Sequence, residues 1–158
     1  MNTLKTYDAN SDTIDSLSEI IETGTGCEKS AAREKLILLL PQQIALVKAL
    51  EDKTWEEAVE HNALVIKLDD QLFRGDESIQ EEHSIALTKA EEIKDRACRY
   101  GIERKVLQML LDIETETKRR EQHILAIMSA THPRVGAGSS LHRFDDNLLA
   151  KIALLSIE

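Results

Sequence analysis

The sequence contains few residues that interrupt or cross-link a chain, with two prolines, six glycines and two cysteines among 158 residues. Aromatic side chains are also scarce, at 3%, whereas charged residues reach 31%. A chain rich in Ala, Leu, Ile, Glu and Lys with so few breakers is typical of long helices rather than of a sheet. We therefore predict an all-α protein with a single core.

No catalytic motif is found. Cys27 and Cys98 match neither a CxxC redox pair nor zinc-ligand spacing, so we expect reduced thiols without a role. The segment 24–26 lacks the lysine and the further glycines of a phosphate loop. The five histidines are scattered, and no Glu-x-x-His spacing of a di-iron bundle occurs. The sequence predicts no cofactor.

Long apolar runs are missing as well. The sequence has no stretch of about 18 apolar residues, the length that indicates a membrane-spanning helix. The first residues have no signal-peptide character, so we predict a cytoplasmic protein. The net charge of −9 disfavours nucleic acid or an anionic membrane as a partner, because both bind basic surfaces. A basic or apolar protein partner fits better.

The first half of the chain carries several helix signals. Ser11 and Asp12 are good N-caps for a short helix that stops at 24–26. A second helix is expected from about Ser30, with Pro41 either kinking or restarting it. Thr54 and Glu57 form a capping-box pattern, which predicts a new helix carrying an apolar stripe: Trp55, Val59, Val65, Leu68 and Leu72. Gly75 should end that helix.

The second half repeats these signals. Ser78 and Glu81 form another capping-box pattern, and a small-residue stripe follows before Gly101: Ala86, Ala90, Ile93, Ala97 and Tyr100. A last long helix is expected over about 102–129. We predict an antiparallel helical hairpin or bundle of four to six helices in residues 1–133, a flexible linker at 134–140 and a tethered amphipathic helix at 141–158.

An acidic pattern offers one enzymatic alternative. Residues 56–60 have the form EExxE and residues 92–95 the form ExxD, a pair that resembles the magnesium site of MazG-type nucleotide pyrophosphohydrolases. The resemblance implies Glu57, Glu60, Glu92 and Asp95 as ligands for hard cations that clamp a triphosphate. The two motifs lie farther apart than in that family, and 29 acidic residues produce such spacings by chance.

Two further stretches, residues 46–65 (LVKALEDKTWEEAVEHNALV) and 106–117 (VLQMLLDIETET), resemble the FliT family of flagellar export chaperones. They cover part of the chain; the segment 75–101 and the first helix have no clear counterpart. The resemblance implies a chaperone that holds the C-terminal segment of an exported flagellar subunit, such as the filament cap, and that uses its own last helix to occlude the groove.

Under this interpretation, an apolar groove receives the client helix through anchors spaced by three and four residues. The predicted groove residues are Val106, Met109, Leu110 and Ile113. The predicted competing residues of the terminal helix are Leu148, Leu149, Ile152 and Leu155. Core packing is the alternative for both sets, and a self-associating structural protein is the third functional alternative.

Overall fold

The computed structural model describes residues 3–75 and 77–131, and these residues are almost entirely helical. Helix α1 spans Thr3–Thr23, α2 spans Gly26–Phe73 and α3 spans Gln80–Thr131, with a 3-10 turn at Glu77–Ile79 before α3. The described residues contain no strand, which confirms the all-α prediction for this part of the chain. They contain three α-helices rather than four to six. The predicted linker and terminal helix lie outside the described residues.

Helices α2 and α3 form one long antiparallel hairpin. Gly75 lies in the turn with φ +91, a conformation that side-chain-bearing residues rarely adopt, and its N–H donates to the carbonyl of Leu72. The prediction that Gly75 ends α2 is confirmed. At 1.5 Å per residue, the 52 residues of α3 extend for about 78 Å.

Helix α1 packs on the N-terminal half of α2, so one half of the hairpin has three helices and the other half has two. The three-helix half holds the larger core, with Ile14 and Leu17 of α1 against Leu36, Leu40 and Val47 of α2. In the two-helix half, Val65 and Leu68 pack against Ala86 and Ala90. The predicted small-residue stripe is confirmed as packing surface, since its alanines and Ile93 are buried.

Pro41 does not restart the second helix, because α2 continues through it. The buried positions 36, 40, 43 and 47 follow four- and three-residue steps that share one face only if the helix is continuous. Burial of this row offsets the cost of about 3 kcal/mol for an interior proline. The ring itself is exposed.

The predicted capping box at Thr54 is wrong. Thr54 lies inside α2, is 6% exposed, and its hydroxyl donates to the carbonyl of Leu50 at 2.7 Å. A mid-helix threonine often bonds in this way. There is consequently no link between Leu50 and Trp55, because α2 runs through both residues.

The N-terminal signal of α2 is instead at Thr25. Its N–H donates to Glu28 Oε2 at 2.9 Å and its hydroxyl donates to the same oxygen at 2.7 Å. Hydrogen bonds to the ionised form favour that form, so the backbone and side-chain bonds from Thr25 lower the pKa of Glu28. The helix therefore begins four residues before the predicted Ser30.

Gly101 does not end a helix either, since α3 runs through it. A Cβ atom at this position would lie 3.0 Å from Glu51 Oε1. The other oxygen of Glu51 accepts a hydrogen bond from Arg104 Nε at 2.8 Å. The glycine allows the Glu51 side chain to approach α3 closely and reach Arg104.

Polar contacts join all three helices in the three-helix half. Arg33 of α2 donates to Glu114 at 2.6 Å and also to Glu121, and the Arg33 and Glu114 side chains are each 11% exposed. The Tyr7 hydroxyl of α1 donates to Glu103 of α3 at 2.7 Å. Desolvation first, and then the Glu103 carboxylate, raise the pKa of Tyr7 to about 12.

Candidate partner-binding faces

Four large apolar side chains form an exposed row on α3. Ile102, Val106, Met109 and Ile113 are between 57% and 64% exposed. Their spacing of four, three and four residues places them on one side of the helix. We call this row the α3 face. Scattered apolar side chains are normal on a surface, whereas an aligned row of large apolar side chains is a candidate binding surface.

Three of the four predicted groove residues belong to the α3 face: Val106, Met109 and Ile113. The fourth, Leu110, is half-buried and packs against the core of the three-helix half. The buried side of this part of α3 instead carries Leu107 and Glu114. The predicted residues therefore do not form one surface, since Leu110 turns toward the protein interior.

A second exposed row lies on α2, between the three-helix half and the turn. It consists of Trp55, Val59, Ile66 and Phe73, which are 42%, 67%, 62% and 94% exposed. Steps of four, seven and seven residues keep these positions on one side of the helix. We call this row the α2 face. A shallow groove of about 440 Å³ lies beside it, lined by Trp55, Glu56, Val59 and Glu60.

The α2 face has an acidic border. Asp52, Glu56, Glu60 and Asp70 are all exposed, and at 100° per residue they follow one edge of the row. The exposed Lys67 lies on the same edge, which therefore has a net negative charge. Such an edge attracts a partner with positive charge beside its apolar contact residues.

The sequence reasoning missed the α2 face because it assigned Trp55 and Val59 to a single packing stripe with Val65 and Leu68. The structure separates them into two rows, since Val65 and Leu68 are buried while Trp55 and Val59 are exposed. The spacing of the apolar residues distinguishes the two rows. One seven-residue pattern consists of positions 54, 58, 65, 68 and 72, and a second pattern beside it consists of positions 55, 59, 66 and 73.

The four carboxylates of the hydrolase alternative do not form a metal site. Glu60, Glu92 and Asp95 are exposed and Glu57 is half-buried. Within the described ranges, no three His, Cys, Asp or Glu side chains lie close enough together to hold a metal ion. The geometry thus gives no support to the MazG-type interpretation. Cys27 and Cys98 are both exposed free thiols.

The other four predicted partner-binding residues, Leu148, Leu149, Ile152 and Leu155, lie outside the described residues. Among the helices that the structure does describe, none has the length and apolar character needed to cross a membrane.

In residues 3–75 and 77–131, the structure consists of three α-helices, and the long hairpin formed by two of them carries the two exposed apolar rows. Comparison of the chain with protein-family models, with curated proteins and with solved structures gives no match. The resemblance to FliT chaperones therefore stays a prediction.

Proposed function

We propose that the protein is a protein-binding chaperone or adaptor, and that its α2 face holds an amphipathic helix of the client. The observation that carries this proposal is the exposed row of Trp55, Val59, Ile66 and Phe73. An apolar helix face of this length fits the helix-in-groove mode of recognition, in which the partner supplies anchors every three to four residues. Tryptophan is also the residue type most enriched among binding hot spots.

The client has a definable chemistry. Its helix carries an apolar row matched to the α2 face and lysine or arginine side chains on the flank that meets Asp52, Glu56, Glu60 and Asp70. The resemblance to FliT adds a source for such a helix, namely the C-terminal segment of a flagellar or type III secreted subunit held in the cytoplasm before export.

Trp55 provides a direct readout, because it is the only tryptophan of the chain. Labelled peptides covering the C-terminal segments of exported subunits are titrated into the full chain while the emission of Trp55 is recorded. Binding at the α2 face should shift this emission to shorter wavelength as the client covers the indole. An unrelated acidic amphipathic peptide serves as the control ligand.

Substitution then locates the site. The double variant Ile66→Asp and Phe73→Asp should weaken client binding about tenfold or more, since both side chains lose apolar contact. Leu38→Asp is the matched control: Leu38 is 71% exposed and lies outside both faces. If the double variant binds as tightly as the wild type, the client does not use the α2 face. Circular dichroism checks that each variant remains helical.

The terminal segment is tested separately. Under the autoinhibition implied by the FliT resemblance, a chain ending at Ser140 should bind the client more tightly than the full chain. Equal affinity would remove residues 141–158 from the proposed mechanism without affecting the assignment of the α2 face.

A further inference from the structure

The α3 face continues into charged residues at both ends. The same four- and three-residue steps lead from Ile102 back to Arg99 and Asp95, and from Ile113 forward to Glu116 and Arg120. At 100° per residue, all eight positions fall within an arc of about 100°. Seven of them are exposed, and the Glu116 side chain is 44% exposed. The row has an apolar centre with one acidic and one basic residue at each end.

This order is complementary to itself when reversed. If a second copy of α3 runs antiparallel with a two-fold axis between positions 106 and 109, Val106 lies opposite Met109 of the second copy. Ile102 then lies opposite Ile113. Farther out, Arg99 lies opposite Glu116, and Asp95 opposite Arg120. Every apolar residue meets an apolar residue, and every charge meets the opposite charge, twice each by symmetry.

Other registers lack this match. A shift of one heptad in one direction places Val106 opposite Glu116 and Ile102 opposite Arg120. The shift in the other direction places Met109 opposite Arg99 and Ile113 opposite Asp95. Apolar side chains facing charges disfavour both alternatives, so the charged ends specify a single register.

The α2 face does not show the same property. The antiparallel register that pairs Trp55 with Phe73 places Val59 opposite Asp69. The neighbouring register places Asp52 opposite Asp69, two like charges. Self-complementarity is therefore a feature of the α3 face and not of the α2 face.

We propose that two copies of this chain associate through their α3 faces as an antiparallel, two-fold symmetric pair of helices. The contact extends from position 95 to position 120, about 37 Å along each helix. Lys105 lies beside Asp112 of the second copy on the flank of the row, which adds an opposite-charge pair. Within one copy, Glu116 accepts hydrogen bonds from Arg119 at 3.4 Å and Arg120 at 3.2 Å. These exposed pairs contribute little, so exchanging them for contacts across the dyad costs little.

The dimer goes beyond the proposed client binding and does not rest on it, because the two faces lie on different helices. It assigns the predicted residues Val106, Met109 and Ile113 to a partner that is a second copy. It leaves both α2 faces available, so one dimer binds two clients.

Charge-reversal variants of the full chain test the proposal by sedimentation equilibrium. Arg99→Glu brings a second carboxylate opposite Glu116, and Glu116→Arg brings a second guanidinium opposite Arg99. The homodimer of each variant should have a dissociation constant about tenfold or more above that of the wild type. An equimolar mixture of the two should recover the dimer, because the heterodimer keeps opposite charges facing each other. Lys94→Glu is the control, with the same charge change at an exposed position of α3 outside the row, and should dimerise as the wild type does.

Two outcomes overturn the proposal. A wild-type chain that is monomeric at its highest soluble concentration excludes the dimer and leaves the α3 face to another occupant, such as residues 141–158 or a client. A dimer that tolerates both reversals, or a mixture that associates no better than either variant alone, excludes this register. The Trp55 emission assay distinguishes the two proposals, since Arg99→Glu should leave client binding at the α2 face unchanged.

Discussion

The hydroxyl of Tyr7 links α1 to α3 and makes folding sensitive to alkaline pH. Burial first, and then the Glu103 carboxylate, raise its pKa from 10.0 to about 12, because both favour the neutral phenol. The folded state thus holds a proton that the unfolded state loses from pH 10 upward. The stabilisation is complete below pH 10 and is lost as the pH rises toward 12.

Replacing Tyr7 with Phe should lower the free energy of unfolding at neutral pH by about 1 kcal/mol, since the hydrogen bond to Glu103 is lost. The variant should also lose part of the alkaline dependence. Urea unfolding at pH 7 and at pH 11 measures both effects. A variant whose stability falls between these pH values as steeply as that of the wild type would show that Tyr7 is not the group responsible.

Gln43 carries a buried acceptor without a partner. The residue is 0% exposed, its Nε2 donates to the Tyr7 carbonyl and the Ser11 hydroxyl at 3.3 Å, and its Oε1 has no hydrogen bond within the described structure. An unpaired buried oxygen costs about 1–3 kcal/mol. The two hydrogen bonds of Gln43, at 3.3 Å, lie beyond the usual range of about 2.7–3.2 Å, so each is expected to return less than a typical bond.

Gln43→Met keeps a similar shape without the polar atoms and should raise the free energy of unfolding by about 1 kcal/mol. Thermal and urea unfolding measure the change. Gln42→Met, at the exposed neighbouring position, is the control and should change stability little. A clear loss of stability in Gln43→Met alone would mean that the amide contributes more to holding α1 than its bond lengths indicate.

At the scale of the helices, Pro41 lies inside α2 and leaves the carbonyl of Ile37 without its usual N–H donor. Pro41→Ala restores that hydrogen bond at an exposed site and should raise the free energy of unfolding by about 2 kcal/mol. Part of the gain is offset, since proline also restricts the unfolded chain. Urea unfolding tests this. An unchanged or lower stability would show that the helix has already adjusted around the ring at no cost.

The helical fold class and the turn at Gly75 could be read from the sequence, because composition and glycine conformation are local properties. The number of helices could not. Thr54 and Gly101 look like helix boundaries when their neighbours alone are considered. Thr54 bonds back to Leu50 of its own helix, because α2 continues through it. Gly101 admits Glu51 of the packed second helix, which the local pattern does not contain.

The candidate faces could likewise be predicted only in part from the sequence. Spacing placed Val106, Met109 and Ile113 on one side of α3, but it could not tell an outward side from an inward one. That distinction depends on which row the partner helix covers, and α2 covers the row of Leu107 and Glu114. The predictions for residues 141–158 are not tested by the described structure.

At the scale of the whole molecule, stability should be uneven along the hairpin. The half with three helices buries Leu36, Leu40 and Val47 completely, whereas the half with two helices is held by smaller contacts such as Ala86 and Ala90. Amide hydrogen exchange should therefore be slowest over residues 32–47 and faster over 58–72 and 82–95. Exchange measured by NMR at neutral pH checks this order, and uniform protection along α2 would contradict it.

The position of the Gly75 turn also sets the order in which the chain folds. Contacts near the turn close short loops, as between Asp69 Oδ1 and His83 Nε2, which lie 2.7 Å apart. Those at the far end join residues such as Arg33 and Glu114, which are 81 positions apart. The entropic cost of closing a loop rises with the separation of its ends along the chain. We therefore expect hairpin contacts to form first near Gly75 and last near Arg33, because each contact that forms shortens the loop that the next contact must close. The α2 face lies in the part that closes early, so a chain whose three-helix half is still open already presents Trp55 and Phe73.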